Sequence, residues 1–350
     1  MHNLREVRRV AAPSLVYGVV KADAYGHGML PVARALEHAG VDGLCVALTE
    51  EGLALRAEGV RVPILVLNGA YGKEHERVLA ARLTPVVYSI EEVEAFARAG
   101  AGRGADVHLK VDTGMARLGV PIASLGAFLR AMKAFPAIRV RGVLTHLSSA
   151  EANDAVTAAQ LDRFDAALAE VRRHGHAPDV VHAANSAATY RHARARHSLV
   201  RVGLALYGVP PAPDVGGELR PVMRVRTEVL SARDLPAGAP VGYGEMFRAT
   251  RASRIATLPI GYGDGLLRAA SPRGVVLIRG QRCPIVGAIS MDLTTVDVTD
   301  VPDCALGDEA VILGDAGDDR ITAHELASAC GTIAYEVLTG LSRRLPRLLL

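Results

Sequence analysis

The chain has 350 residues, of which half are hydrophobic and 22% are charged, with a net charge of +3. This length exceeds what one ordinary hydrophobic core accommodates, so about two domains are expected. No apolar run approaches the ~20 residues of a membrane span, and the basic residues form no block with interleaved aromatic side chains. Composition therefore argues against membrane insertion and against nucleic-acid binding.

The first ten residues alternate charged and apolar types at helical spacing and lack the continuous apolar region of a signal peptide. Four cysteines lie far apart in the chain and include no CxxC pair: Cys45, Cys283, Cys304 and Cys330. Their distribution predicts buried, reduced thiols and neither a metal site nor a disulfide framework. We expect a cytoplasmic protein.

From about residue 14 to 205, short apolar runs alternate with amphipathic stretches. Strands are predicted near 15–21, 43–48, 63–67, 84–88, 106–112, 139–145, 179–182 and 198–202. Helical patterns separate them, for example at 29–38, 74–81, 91–99, 122–135 and 155–174. Eight consecutive parallel strands of buried, β-branched character predict a TIM barrel, with an open doubly wound sheet as the alternative.

After residue 220 the pattern changes to short alternating runs with turn signals. We predict strands near 224–230, 253–258, 275–278, 293–298 and 309–313, and find helical signal only at 324–329. The chain is therefore divided into a barrel domain at 1–220 and a mostly antiparallel β domain at 221–350.

Lys21 ends the first apolar run and is followed at once by a glycine-rich loop, in the segment VVKADAYGHG. Only four of the 40 basic residues are lysines, so a need for positive charge alone would usually have been met by arginine. An amine that forms a Schiff base is the functional interpretation. An ordinary lysine at a strand end is the structural alternative.

A barrel carries its functional residues at the carboxyl ends of its strands. Unusual polar residues do fall at or just after five of the predicted strands: Lys21, Lys110, Arg117, His146, Asn185, Ser186, Arg201 and Gly203. The last two predicted strands of a barrel commonly border a phosphate site. Ser186 could instead serve as a helix cap.

Several segments resemble motifs of alanine racemases, in the family's order. VVKADAYGHG is similar to the pyridoxal-phosphate lysine motif, and HLKVDTGMARLG is similar to the KxDTGMxRLG motif. Further matches are VRVGLALYG, VGYGEMF, GYGDG and SMD. The chain is thus identified as a member of that family. The resemblance implies an isomerase that contains pyridoxal 5'-phosphate, interconverts L-alanine and D-alanine, and supplies D-alanine for peptidoglycan.

The resemblance also implies roles for residues of the barrel. Lys21 would bind the cofactor, and its phosphate would be held by Tyr25, Ser186, Gly203 and Leu204. His146 would stack on the pyridine ring, while Arg201, supported by His182, would contact the ring nitrogen. An arginine stays protonated and so keeps that nitrogen unprotonated, which favours racemisation over transamination or elimination. The alternative for Arg201 is a pairing with a structural carboxylate.

In the same family pattern, Arg117 would contact the phenolic oxygen of the cofactor and the catalytic tyrosine. The lysine that matches Lys110 carries a carbamate in some members. The alternative for Lys110 is a barrel-interior lysine paired with an acid.

A racemase needs a second base for the opposite face of its substrate. Tyr243 matches the family's tyrosine base, Tyr262 matches the tyrosine at the substrate entry, and Met291 and Asp292 match the segment that receives the substrate carboxylate. The resemblance implies a homodimer in which Tyr243 acts in the partner subunit's site.

Two departures from the family pattern and three alternative functions remain open. Arg343 stands where some members have a tyrosine that contacts phosphate, and members usually begin with a longer N-terminal stretch, so a misassigned start or a missing strand is expected. A racemase of broader specificity and a non-catalytic pyridoxal-phosphate-binding protein are the alternative functions. A barrel-type decarboxylase would place an acid where this chain has Arg201.

Overall fold

The computed structural model describes residues 1–100 and 103–349, which form two compact units, Met1–Arg220 and Pro221–Leu350. The strands of the first unit are β1 (Leu15–Val19), β2 (Gly43–Val46), β3 (Ile64–Val66), β4 (Thr84–Val87), β5 (Ala105–Asp112), β6 (Val120–Pro121), β7 (Ile138–Leu144), β8 (Val180–His182) and β9 (Leu199–Val202). Its helices are α1 (His2–Ala11), α2 (Lys21–Tyr25), α3 (Met29–His38), α4 (Thr49–Ala57), α5 (His75–Ala80), α6 (Ile90–Ala99), α7 (Ile122–Met132), α8 (Asp154–Arg173) and α9 (Ser186–Arg191).

Eight parallel strands form one sheet in the order β8-β7-β5-β4-β3-β2-β1-β9, and the short β6 pairs beside β5. The two ends of this order also meet. The Ser198 N–H donates to the Val181 carbonyl at 3.2 Å, and the Val181 N–H donates to Ser198 Oγ at 2.8 Å. The sheet therefore closes on itself, and the predicted TIM barrel is confirmed.

The strands have this arrangement because they are apolar on both faces. Every residue of β2 and β3 is buried, as expected for parallel strands that are covered by helices outside and by side chains inside. Several of the helices bury one apolar face and begin at a polar cap. In α6, for example, Val93 and Phe96 face the core, and the Ser89 side chain accepts from the Glu92 N–H.

The second unit is built from antiparallel strands. They are β10 (Val225–Glu228), β11 (Ser231–Leu235), β12 (Pro240–Val241), β13 (Phe247–Arg248), β14 (Ser253–Leu258), β15 (Val275–Ile278), β16 (Gln281–Pro284), β17 (Thr294–Asp297), β18 (Glu309–Ala316) and β19 (Asp319–Ile321). They pair as β10-β18-β15-β16 with β19 on β18, as β11-β14-β17, and as β12-β13. The predicted β character of this part is confirmed.

The expectation that helix is confined to 324–329 was wrong, because α10 (Ala323–Cys330) is followed by α11 (Ala334–Gly340). Helix α11 buries Ala334, Val337 and Leu338 at helical spacing. With seven residues it is too short for its periodicity to stand out in the sequence. Across the described residues, no helix is both long and apolar enough to cross a membrane.

Candidate active site

Lys21 lies two residues beyond the end of β1 and opens a turn of unusual backbone geometry. The next four residues all have positive φ, between 51° and 54°: Ala22, Asp23, Ala24 and Tyr25. They form one left-handed turn, a conformation that costs roughly 1–2 kcal/mol per residue for L-amino acids. Such strain persists only where the surroundings impose it, and it is concentrated at functional sites.

The amine of Lys21 lies among cations. Burial lowers its pKa, Arg117 lowers it further, and Arg201 contributes in the same direction, while Glu51 and Cys45 act in the opposite sense. More of the amine is therefore neutral near pH 7 than in a free lysine. A neutral amine is what nucleophilic attack on a carbonyl carbon and proton abstraction both require.

Tyr25 ends the left-handed turn with its ring held in place from two sides. It stacks on Tyr207 with ring centroids 5.0 Å apart, and the Tyr207 hydroxyl donates to the Val19 carbonyl at 2.8 Å. The Tyr25 hydroxyl lies over Gly203, where an added Cβ would collide with it. Glycine at position 203 is therefore what allows this hydroxyl to reach the carboxyl end of β9.

The Ser186 side chain also lies next to Gly203. Its Oγ accepts from the Gly203 N–H at 3.1 Å, and the residue as a whole is only 3% exposed. The cap of α9 is Asn185, whose side chain accepts from the Ala188 N–H at 2.9 Å, so Ser186 is not the helix cap. Its hydroxyl hydrogen remains available to a ligand.

The Leu204 N–H, also buried, has no hydrogen-bond partner among the described residues. Together with the hydroxyls of Tyr25 and Ser186 it supplies three donors at the ends of β8 and β9. Donors without a counter-charge of their own fit an anionic group such as a phosphate.

Arg201 is 4% exposed and contacts no carboxylate within the described residues. Nη1 donates to His182 Nδ1 at 2.8 Å, and Nη2 donates to the Thr145 carbonyl at 2.9 Å and to His146 Nδ1 at 3.4 Å. In the described chain Arg201 is therefore not paired with a structural carboxylate, which was the alternative interpretation. The Nε–H is left without a protein acceptor in the described chain, which suits an aromatic ring nitrogen.

A line of side chains fixes the protonation state around Arg201. Because a guanidinium only donates, His182 Nδ1 must accept, so the neutral ring carries its hydrogen on Nε2. That nitrogen lies 2.9 Å from His108 Nδ1 and donates to it. The ring of His108 lies over Gly142 of β7, where a Cβ would collide with it.

The pKa values follow from this geometry. Burial and Arg201 lower the pKa of His108 to about 4 and that of His146 to about 3, and they hold the pKa of His182 well below its usual value. Burial lowers the pKa of Arg201 to about 10, which still leaves it charged near pH 7. The site therefore presents a fixed positive charge surrounded by neutral histidines.

Lys110 lies inside β5 and is buried next to the same charges. Burial lowers its pKa to about 8, and Arg201, Arg117 and Lys21 lower it in the same direction. Asp112 acts on this pKa in the opposite direction, but its carboxylate already accepts from the N–H groups of the following loop. Within the described residues Lys110 has no ion pair, contrary to the structural alternative.

Arg117 is exposed in the loop after β5. Buried polar contacts anchor the start of that loop: Thr113 Oγ1 lies 2.7 Å from Thr145 Oγ1, and Gln160 Nε2 donates to Thr113 Oγ1 at 3.2 Å. Neither these contacts nor the contacts of His108 and Gly142 were found from the sequence. They depend on strand register, for which no local sequence signal exists.

In the second unit the expected site residues are exposed. Tyr243 is 75% exposed in the turn Tyr243–Glu245, and Tyr262 and Met291 are also open to solvent. The backbone beneath them is nevertheless ordered. The Tyr262 N–H donates to the Ser290 carbonyl at 3.0 Å, and the Gly263 N–H donates to the Met291 carbonyl at 2.8 Å.

Arg344 ties these segments together, because Nε donates to Asp264 at 2.6 Å and Nη2 donates to Asp292 at 2.6 Å. Arg343, the departure from the family pattern, is the preceding residue and is exposed. The carboxylate of Asp292 is thus bound to a cation and repels another carboxylate. The N–H groups of Met291 and Asp292, which lack partners in the described chain, are the groups here that could receive one.

Comparison with known proteins gives consistent matches. Residues 1–211 match the family description "Alanine racemase, N-terminal domain", and residues 222–349 match "Alanine racemase, C-terminal domain". The alanine racemase of Sorangium cellulosum is 47% identical over 360 residues, covering 99% of this chain and 95% of that protein. That of Symbiobacterium thermophilum is 44% identical, covering 99% and 93%.

Solved structures agree. The alanine racemase from D-cycloserine-producing Streptomyces lavendulae superposes with a TM-score of 0.94 at 38% identity, covering 100% of this chain and 94% of its own. The Bacillus anthracis alanine racemase, a structure with bound L-Ala-P, has a TM-score of 0.89 at 32% identity and covers 97% and 89%.

Proposed function

The chain belongs to the alanine racemase family, and from that premise we propose that it is a pyridoxal-phosphate-dependent isomerase that interconverts L-alanine and D-alanine with two bases. The observation that carries the proposal is the fixed charge of Arg201, which has neutral partners and one free donor beside the amine of Lys21. A role in supplying D-alanine for peptidoglycan in the cytoplasm is part of the same proposal.

The residues of the first unit fit pyridoxal phosphate. Its phosphate would be held by Tyr25, Ser186 and the N–H of Leu204. Lys21 would bind its carbonyl carbon, and Arg201 would contact its ring nitrogen. His146 would pack against the ring. Pyridoxal phosphate, when bound, supplies an electron sink that makes the Cα–H of the substrate acidic.

Two proton carriers act at the Cα atom. Lys21 Nζ takes or returns the proton on one face, and Tyr243 Oη does so on the other. In the direction from L- to D-alanine, Tyr243 removes the proton and Lys21 delivers one; in reverse, the roles exchange. The lowered pKa of Lys21 keeps its amine able to accept a proton near neutral pH.

Arg201 would restrict the reaction to racemisation. Its guanidinium donates a hydrogen bond but keeps its proton, and its histidine partners are neutral. No group beside the ring nitrogen therefore transfers a proton to that nitrogen. Arg117 would orient the phenolic side of the ring and Tyr243. The N–H groups of Met291 and Asp292 would receive the substrate carboxylate at an entry bordered by Tyr262.

We propose that Lys110 carries a carbamate. Its neutral amine would attack carbon dioxide, form an N–C bond as one C–O π bond opens, and release one proton to solvent, which leaves an anion beside the three cations Arg201, Arg117 and Lys21. A pKa of about 8 gives enough free amine for this step near neutral pH. Bicarbonate labelled with ¹³C should produce a carbamate signal that is absent from Lys110→Ala, and short carboxylic acids should restore activity to that variant.

The active form is proposed to be a homodimer, since the exposed Tyr243 needs surroundings that a lone chain does not provide. The test is racemisation of a panel of L-amino acids with and without added cofactor, followed by borohydride reduction and peptide mapping. We expect the fastest turnover with alanine and the cofactor fixed on the peptide that contains Lys21. Fixation on Lys110, or a bound cofactor without racemisation, would contradict the proposal, and faster turnover of another amino acid would favour broader specificity.

A further inference from the structure

Glu51, in the first turn of α4, accepts three backbone N–H groups from two separate segments. Oε1 accepts from the Ala22 N–H at 2.7 Å. Oε2 accepts from the Ala47 N–H at 2.8 Å and from the Leu48 N–H at 3.2 Å. Ala22 directly follows Lys21, whereas Ala47 and Leu48 directly follow β2. One carboxylate therefore joins the ends of two neighbouring barrel strands.

Only a carboxylate of this length can make all three contacts. An ionised carboxylate has two oxygens that accept and no hydrogen to donate, so each segment receives its own oxygen. In a glutamine one oxygen is replaced by an NH₂ group, which would face either the Ala22 N–H or the Ala47 N–H. An aspartate is shorter by one methylene and does not span both segments.

The contact with Ala22 falls where the backbone most needs support. Ala22 is the first of the four left-handed residues, and its N–H faces Glu51 while its carbonyl accepts from the Gly26 N–H at 3.1 Å. Asp23 provides a second tie, since its Oδ1 accepts from the Met29 N–H at 2.8 Å. Strained φ values persist only while such contacts outweigh the local preference for right-handed backbone.

We propose that Glu51 is a positioning residue for Lys21: by accepting the Ala22 N–H it holds the left-handed turn, and with it the direction in which the Lys21 side chain leaves β1. This inference rests on the proposed role of Lys21. Glu51 has a second influence on the amine, because its negative charge raises the pKa of Lys21 against the effects of burial and Arg117.

The test compares Glu51→Gln with Glu50→Gln. Glu50 is the preceding residue, carries the same charge in the same helical turn and is exposed, and its side chain makes no hydrogen bond in the described chain. Three quantities are measured in each holoenzyme: hydrogen exchange of the peptide covering 18–28, kcat and KM for L-alanine, and the pH profile of cofactor fixation on Lys21 by borohydride.

For Glu51→Gln we expect exchange in that peptide to be faster by about 10- to 100-fold, the scale of one lost hydrogen bond to a charged group. A fall in kcat of similar size with little change in KM should accompany it, and the pH profile should move to lower pH. Glu50→Gln should match the wild type in all three. A contact that served stability alone would lower the free energy of unfolding of Glu51→Gln and leave kcat unchanged.

Glu51→Asp separates the tether from the charge and serves if the glutamine variant does not fold. It keeps the charge, so we expect faster exchange with a smaller displacement of the pH profile. Wild-type exchange and kcat in both variants would overturn the inference while Lys21 is still labelled in the wild type. Labelling of a different lysine in the wild type would instead overturn the proposed function.

Discussion

The two units prepare their functional residues in opposite ways. In the barrel unit the candidate site side chains are largely buried and held by neighbours, as with Arg201 and Ser186. In the β unit the backbone is equally ordered, but Tyr243 and Met291 project into solvent at 75% and 54% exposure. The neighbours that fix a site side chain are therefore present in the barrel unit for Arg201 and Ser186, whereas Tyr243 and Met291 remain open to solvent.

The charges differ in the same way. The barrel site gathers Lys21, Lys110, Arg117 and Arg201 without an ion pair to any of them in the described chain. In the β unit, Arg344 is bound to two aspartates at once. Uncompensated cations favour an anionic ligand, and a compensated one stabilises loops. The cations of the barrel unit are thus free to face an anionic ligand, whereas Arg344 of the β unit is already bound to Asp264 and Asp292.

Removing the amine at position 21 should have the largest effect and tests the self-sufficiency of the barrel site. Lys21→Ala deletes the group proposed to hold the cofactor and one of the two proton carriers. Racemisation should fall by at least ~10⁴-fold, the upper end of what one general base contributes. Assays in both directions, with cofactor fixation by borohydride, provide the measurement.

Lys133→Ala is the matched control, since Lys133 is an exposed lysine of the same unit. It should keep wild-type turnover and labelling. Substantial racemisation by Lys21→Ala would mean that another amine carries the chemistry, and the search would move to Lys110.

Tyr243→Phe should have the next largest effect. The substitution keeps the ring but removes the hydroxyl that carries the proton, so turnover of L-alanine should fall by roughly 10²- to 10⁴-fold. Loss of the α-deuterium of L-alanine to solvent should fall with it, while the visible absorbance of the bound cofactor stays. Tyr262→Phe is the comparison, and it should cost less in kcat than Tyr243→Phe.

Mixing the two inactive chains asks where the exposed tyrosine acts. If Tyr243 serves the barrel of a partner subunit, Lys21→Ala and Tyr243→Phe chains should regain activity after subunit exchange, because hybrid dimers contain one intact pair. Co-purification of the two chains through different affinity tags confirms the exchange. No recovery after confirmed exchange would place both bases in one chain.

Much of the barrel was predictable because its strands are short apolar runs bounded by turn residues, and because parallel strands place their carboxyl ends at one edge. That logic was sufficient to place Lys21, Ser186 and Arg201 near one another. The left-handed turn was not predictable, since alanine and tyrosine have no preference for positive φ. The turn is in contact with Glu51, 29 residues from Ala22, and no local sequence signal reveals that contact.

The contacts that join Arg201 through His182 to His108 could not be predicted from the sequence either. His108 meets His182 because β7 lies between their strands and offers Gly142 at the required register. Register in a closed barrel is set by the whole sheet, so one strand's sequence cannot reveal which side chains meet across a neighbour.

Gly203→Ala should have a smaller effect than the changes above, and it tests how the barrel unit binds its cofactor. Gly203 has φ −113° and ψ −85°, a backbone conformation outside the regions that alanine favours, and an added Cβ would also meet the Tyr25 hydroxyl. Overpacking of this kind costs roughly 1–3 kcal/mol, and we expect the affinity for cofactor to fall by ~5- to 150-fold with little change in fold. Gly217→Ala, where a Cβ meets nothing within 4 Å, is the control. Titration of cofactor absorbance measures both, and unchanged affinity would remove Tyr25 and Gly203 from the phosphate site.

The smallest expected effect is the change in the free energy of unfolding as the pH is lowered. His108 and His146 have pKa values of about 4 and about 3, and the pKa of His182 is lower than usual for the same reasons. In the unfolded chain a histidine takes up its proton near ~6.5. Above that pH these rings are neutral in both states. Below it the unfolded chain binds more protons, so the free energy of unfolding falls as pH falls towards the folded-state pKa.

Glu92 contributes with the opposite sign. Burial raises its pKa from 4.5 to about 7, so between those values the folded chain holds a proton that the unfolded chain releases, and stability rises as pH falls. Three histidines outweigh one glutamate. Urea unfolding between pH 7 and pH 5 should therefore show a decline of about 1.4 kcal/mol per pH unit for each net proton. Glu92→Gln should steepen the decline and His38→Gln, at an exposed position, should leave it unchanged. Stability that stays flat or rises towards pH 5 would mean that the histidines around Arg201 are not held neutral in the folded chain.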